Sequence, residues 1–162
     1  MSRSSFSQFM DFLINDIRAN STYIKDPDNV VIGESLSMLD KPDSYFPRAE
    51  ALITKRKYNG WLDQRILNQS FRFSIGAHLR REHDHTTEED MYDALDWGDE
   101  LMRSIYNMHE VAIQQGPDAI CEGFIQVSGF PEVFAEYELF PRITTVILVA
   151  EVEIQLRDTN KN

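Results

Sequence analysis

Residues 80 to 90 read R-R-E-H-D-H-T-T-E-E-D, with His83 and His85 one residue apart and each beside a carboxylate. Imidazoles and carboxylates are the ligand types that zinc and manganese accept, so this stretch raises a metal-dependent hydrolase using His83, His85 and nearby carboxylates. The spacing weighs against it. Residues at i and i+2 share a side only in an extended segment, whereas helical zinc motifs place histidines at i and i+4. Asp84 falls between the two and points the other way in such a segment. His78 belongs to a strand and His109 to the far end of a helix, so no second cluster completes a ligand set. The plainer account is a helix entrance: Thr86-Thr87-Glu88-Glu89 fits a capping box, with Thr86 accepting and Glu89 reaching back. Glu88, Glu89 and Asp90 then lie in the first turn, where the helix dipole favours negative charge. That reading uses the acidic and hydroxyl residues without metal or cofactor, and it is the one adopted.

Other catalytic patterns are missing from the sequence. There is no glycine-rich phosphate loop and no G-x-S-x-G elbow, and Cys121 has no histidine near it in sequence. The chemistry-bearing residues that remain are Lys55, Arg56, Lys57, Tyr58 and Trp61, a basic and aromatic group on one short segment. Three roles fit: a nucleic-acid contact, a hairpin tip with solvated charges, or a subunit or partner interface, since aromatics and Arg concentrate at interface hot spots.

The elements that position these residues follow from periodicity. Phe6, Phe9, Met10, Leu13 and Ile17 recur at helical spacing over 6–18, with Ser4 or Ser5 as N-cap. Residues 26–43 carry Pro27, Gly33 and Pro42 among polar residues and read as a long connection with one short strand at Val30 to Ile32. Tyr45 to Lys57 and Trp61 to Arg80 form a hairpin with its turn at Tyr58-Asn59-Gly60-Trp61. In that register Arg56 faces Asp63 and Tyr58 faces Trp61. Leu67, Phe71, Phe73, Ile75, Ala77 and Leu79 share the apolar face of the second strand. The same register sets Arg48 and Glu50 on the apolar side, so a bulge is expected, or the outer half of the hairpin leaves the core. A helix over 87–112 carries Met91, Leu95, Leu101, Met102 and Ile105, with Ala94 and Gly98 between them. Residues 118–128 alternate as a strand. A final strand over 142–156 puts Val146, Leu148, Ala150, Val152, Ile154 and Leu156 on one face. The sum is an α+β fold: a mostly antiparallel sheet with a long hairpin, helices packed on one face, in the order α-β-β-α-β-β. One domain covers 1–162, with a long linker at 20–44 and a frayed C-terminus at 157–162.

Composition narrows the partners. A formal net charge of −11 over 162 residues repels phosphate backbones, which argues against a nucleic-acid binder, including an RNA-binding α/β module. Ten Phe, six Tyr and two Trp supply a packed interior. One cysteine cannot form an internal disulfide, and no stretch reads as a signal peptide or membrane span, so a soluble cytoplasmic protein is expected.

From Tyr45 onward the chain resembles the tail terminator proteins of long-tailed bacteriophages. The resemblance rests on Y-F-P-R-A-E-A-L-I at 45–53, N-Q-S-F-R-F-S-I-G-A-H-L at 68–79, T-T-E-E-D-M-Y-D-A-L-D-W-G-D-E-L-M at 86–102, and the closing strand T-T-V-I-L-V-A-E-V-E-I. With the N-terminal helix, the shared element order covers nearly the whole chain. The linker at 20–44 and the segment 129–140 are longer than a minimal member needs, which keeps a neck or head-completion protein of similar fold as an alternative. The resemblance implies a structural, non-enzymatic virion protein, assembled in the host cytoplasm. Such a protein forms a homo-oligomeric ring, usually of six subunits, at the head-proximal end of the tail. The ring ends polymerisation of the tail tube protein and offers a face to a head-completion or neck protein. DNA passes through such a ring without specific binding, which an acidic lumen would favour.

Overall fold

The computed structural model describes residues 5–33, 41–61, 66–114, 125–140 and 142–157. The side chains of 5–8, 54, 56–61, 66–69, 71, 108–114, 125–140 and 154–157 lie outside that description. Helix α1 spans Ser5–Asn20, followed by the strand β1 (Val30–Ile32), the long strands β2 (Arg48–Trp61) and β3 (Ile66–Arg80), and helix α2 (Glu88–Gln114). Strands β4 (Ile125–Phe140) and β5 (Ile143–Arg157) close the chain. The sheet runs in the order β1-β2-β3-β5-β4, antiparallel except for β1, which pairs with β2 in parallel. This is an α+β fold, and its order α-β-β-β-α-β-β differs from the expected one by the short strand at Val30–Ile32.

Strand alternation decides the faces. Ala49 and Ala51 of β2, Phe73, Ile75 and Ala77 of β3, and Val146, Leu148, Ala150 and Val152 of β5 are buried on the side that carries both helices. Helix α1 adds Phe9, Met10, Leu13, Ile14 and Ile17, with Phe9 edge-on to Phe73 at 6.2 Å between ring centroids. Helix α2 adds Ala94, Trp97, Leu101 and Ile105. Trp97 is fully buried, and Tyr23 stacks on it at 5.3 Å. The expected α2 stripe is therefore corrected. Met91 and Leu95 lie exposed and Met102 half-buried, because the buried positions at 94, 97, 101 and 105 fall to one side of them around the helix.

The described parts of the expected linker at 20–44 include a strand and two short helical turns. Arg18, in the last turn of α1, donates from Nε and Nη2 to the Val30 carbonyl at 3.2 and 2.7 Å, fastening the helix to β1. Thr22 donates from its backbone N–H and its hydroxyl to Glu100, joining the same connection to α2.

The register of β2 on β3 also replaces the expected hairpin turn. Arg56 lies opposite Phe71, Tyr58 opposite Gln69, and Trp61 opposite Leu67, so β2 runs straight through Asn59-Gly60. Register shifts between Ile53 and Lys55 and between Tyr58 and Gly60 leave Thr54 and Asn59 as extra residues. The glycine marks a bulge there and not a reversal. The same register puts Ala49 and Ala51 in the core and sends Arg48 and Glu50 to the opposite face. The connection at 62–65, with Asp63, lies outside the described residues, as does 118–124 of the strand expected at 118–128. At the other end of the chain, Arg157 pairs with Ile66 as the last residue of β5. Residues 158–162 are not described.

Candidate functional site

The segment with the two histidines does join β3 to α2, and the cap is displaced by one residue from its expected place. Thr87 Oγ1 accepts from the Asp90 N–H at 3.2 Å, and Asp90 Oδ2 accepts from the Thr87 N–H at 2.8 Å. Thr86 instead accepts from Arg81 Nη1 at 2.6 Å. A capping box closes with Asp as well as Glu, and Asp at the third position takes the role expected of Glu89. The imidazoles of His83 and His85 stack 5.4 Å apart, while Asp84 turns away and accepts from Arg142 Nε at 2.7 Å. That hydrogen bond, and then the guanidinium charge, holds the Asp84 carboxyl below the usual carboxylate range and raises Arg142. Among the described residues, no three His, Cys, Asp or Glu side chains come together as a metal site.

Two open grooves flank this segment. One, of about 610 Å³, is acidic, with Glu88, Glu89, Asp90 and Asp93 around His83. Its carboxylates sit at the start of α2, where they complement the helix dipole. The other, of about 600 Å³, is lined by Lys25, Arg80, Arg81 and Arg142 together with Asp43 and Glu82. Arg80 and Arg142 are each already paired there, to Asp43 at 3.0 Å and to Asp84.

Sequence reasoning missed a buried polar cluster on the sheet face opposite the helices. Glu50 of β2, His78 of β3 and Thr145 of β5 are each less than a tenth exposed. Glu50 Oε1 accepts from Arg48 Nε at 2.7 Å and lies 3.5 Å from the Tyr45 hydroxyl. His78 Nδ1 and Thr145 Oγ1 share a hydrogen bond of 2.9 Å, and His78 Nε2 stands 3.7 Å from Glu50 Oε2, a charge contact beyond hydrogen-bond length. A Cβ on Gly76 would come to 3.4 Å from His78 Nε2, so the glycine leaves room for the imidazole. Tyr45, at the end of the turn Asp43–Tyr45, lies over this cluster, with the Arg48 guanidinium 4.1 Å from its ring centroid. Phe46 and Ile143 form a small apolar pack beside it. Threonine, histidine and glutamate in a chain resemble a nucleophile, a base and its orienting carboxylate. Here the hydroxyl is buried and the carboxylate holds an arginine, so the group acts as a clamp across three strands. The signal in sequence was the run of alternate polar residues on two strands, Arg48 and Glu50 against His78, and it needed the correct register to be read.

The five expected interface residues, Lys55, Arg56, Lys57, Tyr58 and Trp61, all lie on the outer half of β2. Lys55 is exposed; the side chains of the other four are outside the description. At the root of this half, Leu52 and Ile53 are 41% and 42% exposed although they occupy opposite faces of the strand. Ile32, on the edge strand beside them, is half exposed. Leu52 and Ile53 thus stand exposed on β2 just before its basic run. Among the described residues no helix is long and apolar enough to cross a membrane. No protein-family model matches the chain, and no curated protein matches it.

Proposed function

We propose that the chain is a structural phage virion subunit, a tail terminator that assembles into a ring, usually of six copies, on the head-proximal end of the tail tube. The ring stops addition of tube protein and presents a surface to a head-completion or neck protein. The observation that carries this reading is the sheet itself. Strands β3 and β5 have 15 residues each, about 50 Å at about 3.3 Å per residue, and β2 runs beside them to Trp61. Among the described β2 side chains, Ala51 is the last in the helix-side core, and exposed Leu52 and Ile53 follow. An extended sheet with exposed apolar residues and a long strand at its edge is suited to meeting another polypeptide. The −11 charge suits a channel that lets DNA slide through without specific binding.

The test is electron microscopy of particles made without this protein, together with the mass of the purified chain alone and with tail tubes. Overlong, headless tails and a ring-sized mass in either sample are expected. Tails of normal length that lack heads would transfer the chain to the neck. Stoichiometric zinc or manganese lost on His83→Ala would reopen the hydrolase reading.

A further inference from the structure

The geometry points to one contact between copies: the outer half of β2 in one subunit pairs edge-on with β4 in the next. This inference rests on the ring-forming reading and names the surfaces it would use. The sheet order puts β4 at one end, with no described strand on its outer side. At the other end β1 pairs only with Ala49 to Ala51, which leaves β2 from Leu52 to Trp61 as the second open edge among the described residues.

These edges carry opposite charge. Beyond Ala51, β2 contributes Lys55, Arg56 and Lys57 and no acidic residue. Strand β4 contributes Glu132, Glu136 and Glu138 and no basic residue. Like edges repel and unlike edges attract, so two copies meet head to tail. Such a heterologous contact repeats around a ring when the rotation closes.

Bulges confine each edge to a short regular run. On β2, Lys55 to Tyr58 lies between the shifts at Thr54 and Asn59. On β4, Glu132 to Glu136 lies between two register shifts, the first spanning Gly129-Phe130-Pro131. Proline and bulges are devices that stop open-ended strand pairing. Each edge is left with one place where a few main-chain hydrogen bonds can form, and Lys55, Arg56 and Lys57 on one side with Glu132 and Glu136, and Glu138 just beyond, on the other set the polarity.

Charge exchange tests the pairing. One variant carries Lys55→Glu, Arg56→Glu and Lys57→Glu; a second carries Glu132→Lys, Glu136→Lys and Glu138→Lys. Each is expected to be folded by circular dichroism and to associate about tenfold or more weakly than the unmodified chain in sedimentation velocity. Their equimolar mixture should regain the ring, because each altered edge then meets an opposite one. The chain with all six changes keeps the net charge of −11 and should assemble alone. Should a triple variant fail to fold, Arg56→Glu and Glu136→Lys run the same exchange. Either altered chain assembling like the unmodified one would overturn the edge contact and leave the ring reading standing. So would a folded mixture that stays dissociated. An unmodified chain that stays monomeric even with tube ends would instead overturn the ring reading, and this contact with it.

Discussion

Replacing Glu50 by Gln tests whether the polar clamp fixes the strands. The change keeps the shape and removes the charge that Arg48 meets at 2.7 Å. Exposed ion pairs contribute about 0–1 kcal/mol, and breaking a buried one costs about 3–5 kcal/mol. Side chains only 14% and 8% exposed place this pair near the buried limit, while the Tyr45 ring under the guanidinium retains part of its stabilisation. The expected loss is about 2–3 kcal/mol. Arg48→Met should cost a similar amount, by leaving the Glu50 carboxylate without its strongest donor. The double variant Arg48→Met with Glu50→Leu should fall within about 1 kcal/mol of the original, since an apolar pair does not bury unmatched charge. Urea denaturation at one protein concentration measures the original, Glu50→Leu, Arg48→Met and their double variant as the four members of a cycle, with Glu50→Gln alongside and the slope checked for constancy. A Glu50→Gln loss below about 0.5 kcal/mol, or single losses that simply add in the double variant, would refute the clamp.

Trp97→Ala should lower stability by about 3–5 kcal/mol in the same assay. Trp97→Phe should cost clearly less, because the indole N–H has no acceptor among the described residues. Thr87→Ala removes the acceptor for the Asp90 N–H and should cost about 1 kcal/mol, read as a lower denaturation midpoint and fraying at the start of α2. Burial, followed by the carboxylates of Asp93, Asp96 and Glu100, pushes the Tyr23 hydroxyl up to about 12 from its ordinary 10.0. The folded state therefore keeps this proton longer than the unfolded chain, so its contribution is complete below pH 10.0 and is lost as the pH rises towards about 12. Denaturation at successive alkaline pH values should show a shallower decline for Tyr23→Phe over that window.

Much of the fold was legible because the core strands obey a period of two. The alternation from Phe73 to Ala77 and from Val146 to Val152 named their buried residues directly. The helix at 6–18 was equally plain, whereas the three-residue strand at Val30 was read only as part of a connection and left out of the element order. What failed in the sheet had a single origin. Asn-Gly was read as a turn, and a two-residue turn there forces a register that exposes Ala49 and Ala51 and buries Arg48 and Glu50. Burial of two alanines against the helices outweighs the local turn preference, and Asn59 is taken up as a bulge. The polar clamp was hidden by the same error, because Glu50 and His78 approach only in the observed register. In α2, apolar type alone could not separate Met91 and Leu95 from the stripe of Trp97 and Leu101; the angle around the helix does.

The clamp and the open edges belong to one problem in register. A slip of one residue between β2 and β3 would carry Arg48 and Glu50 into the helix-covered core and turn Ala49 and Ala51 out. Glu50, His78 and Thr145 oppose that slip, since their contacts join β2, β3 and β5 at one level of the sheet. Register in turn decides where the bulges fall, and so which residues of β2 stand between Thr54 and Asn59 as a regular run. Strand β1 adds the remaining constraint. By pairing with Ala49 to Ala51 it closes the near part of the β2 edge, and only the basic part stays available. A sheet open along its whole edge could be met in several registers and would favour irregular stacking. One short basic run facing one short acidic run favours a single relation between neighbours, which is what a closed ring of identical subunits requires.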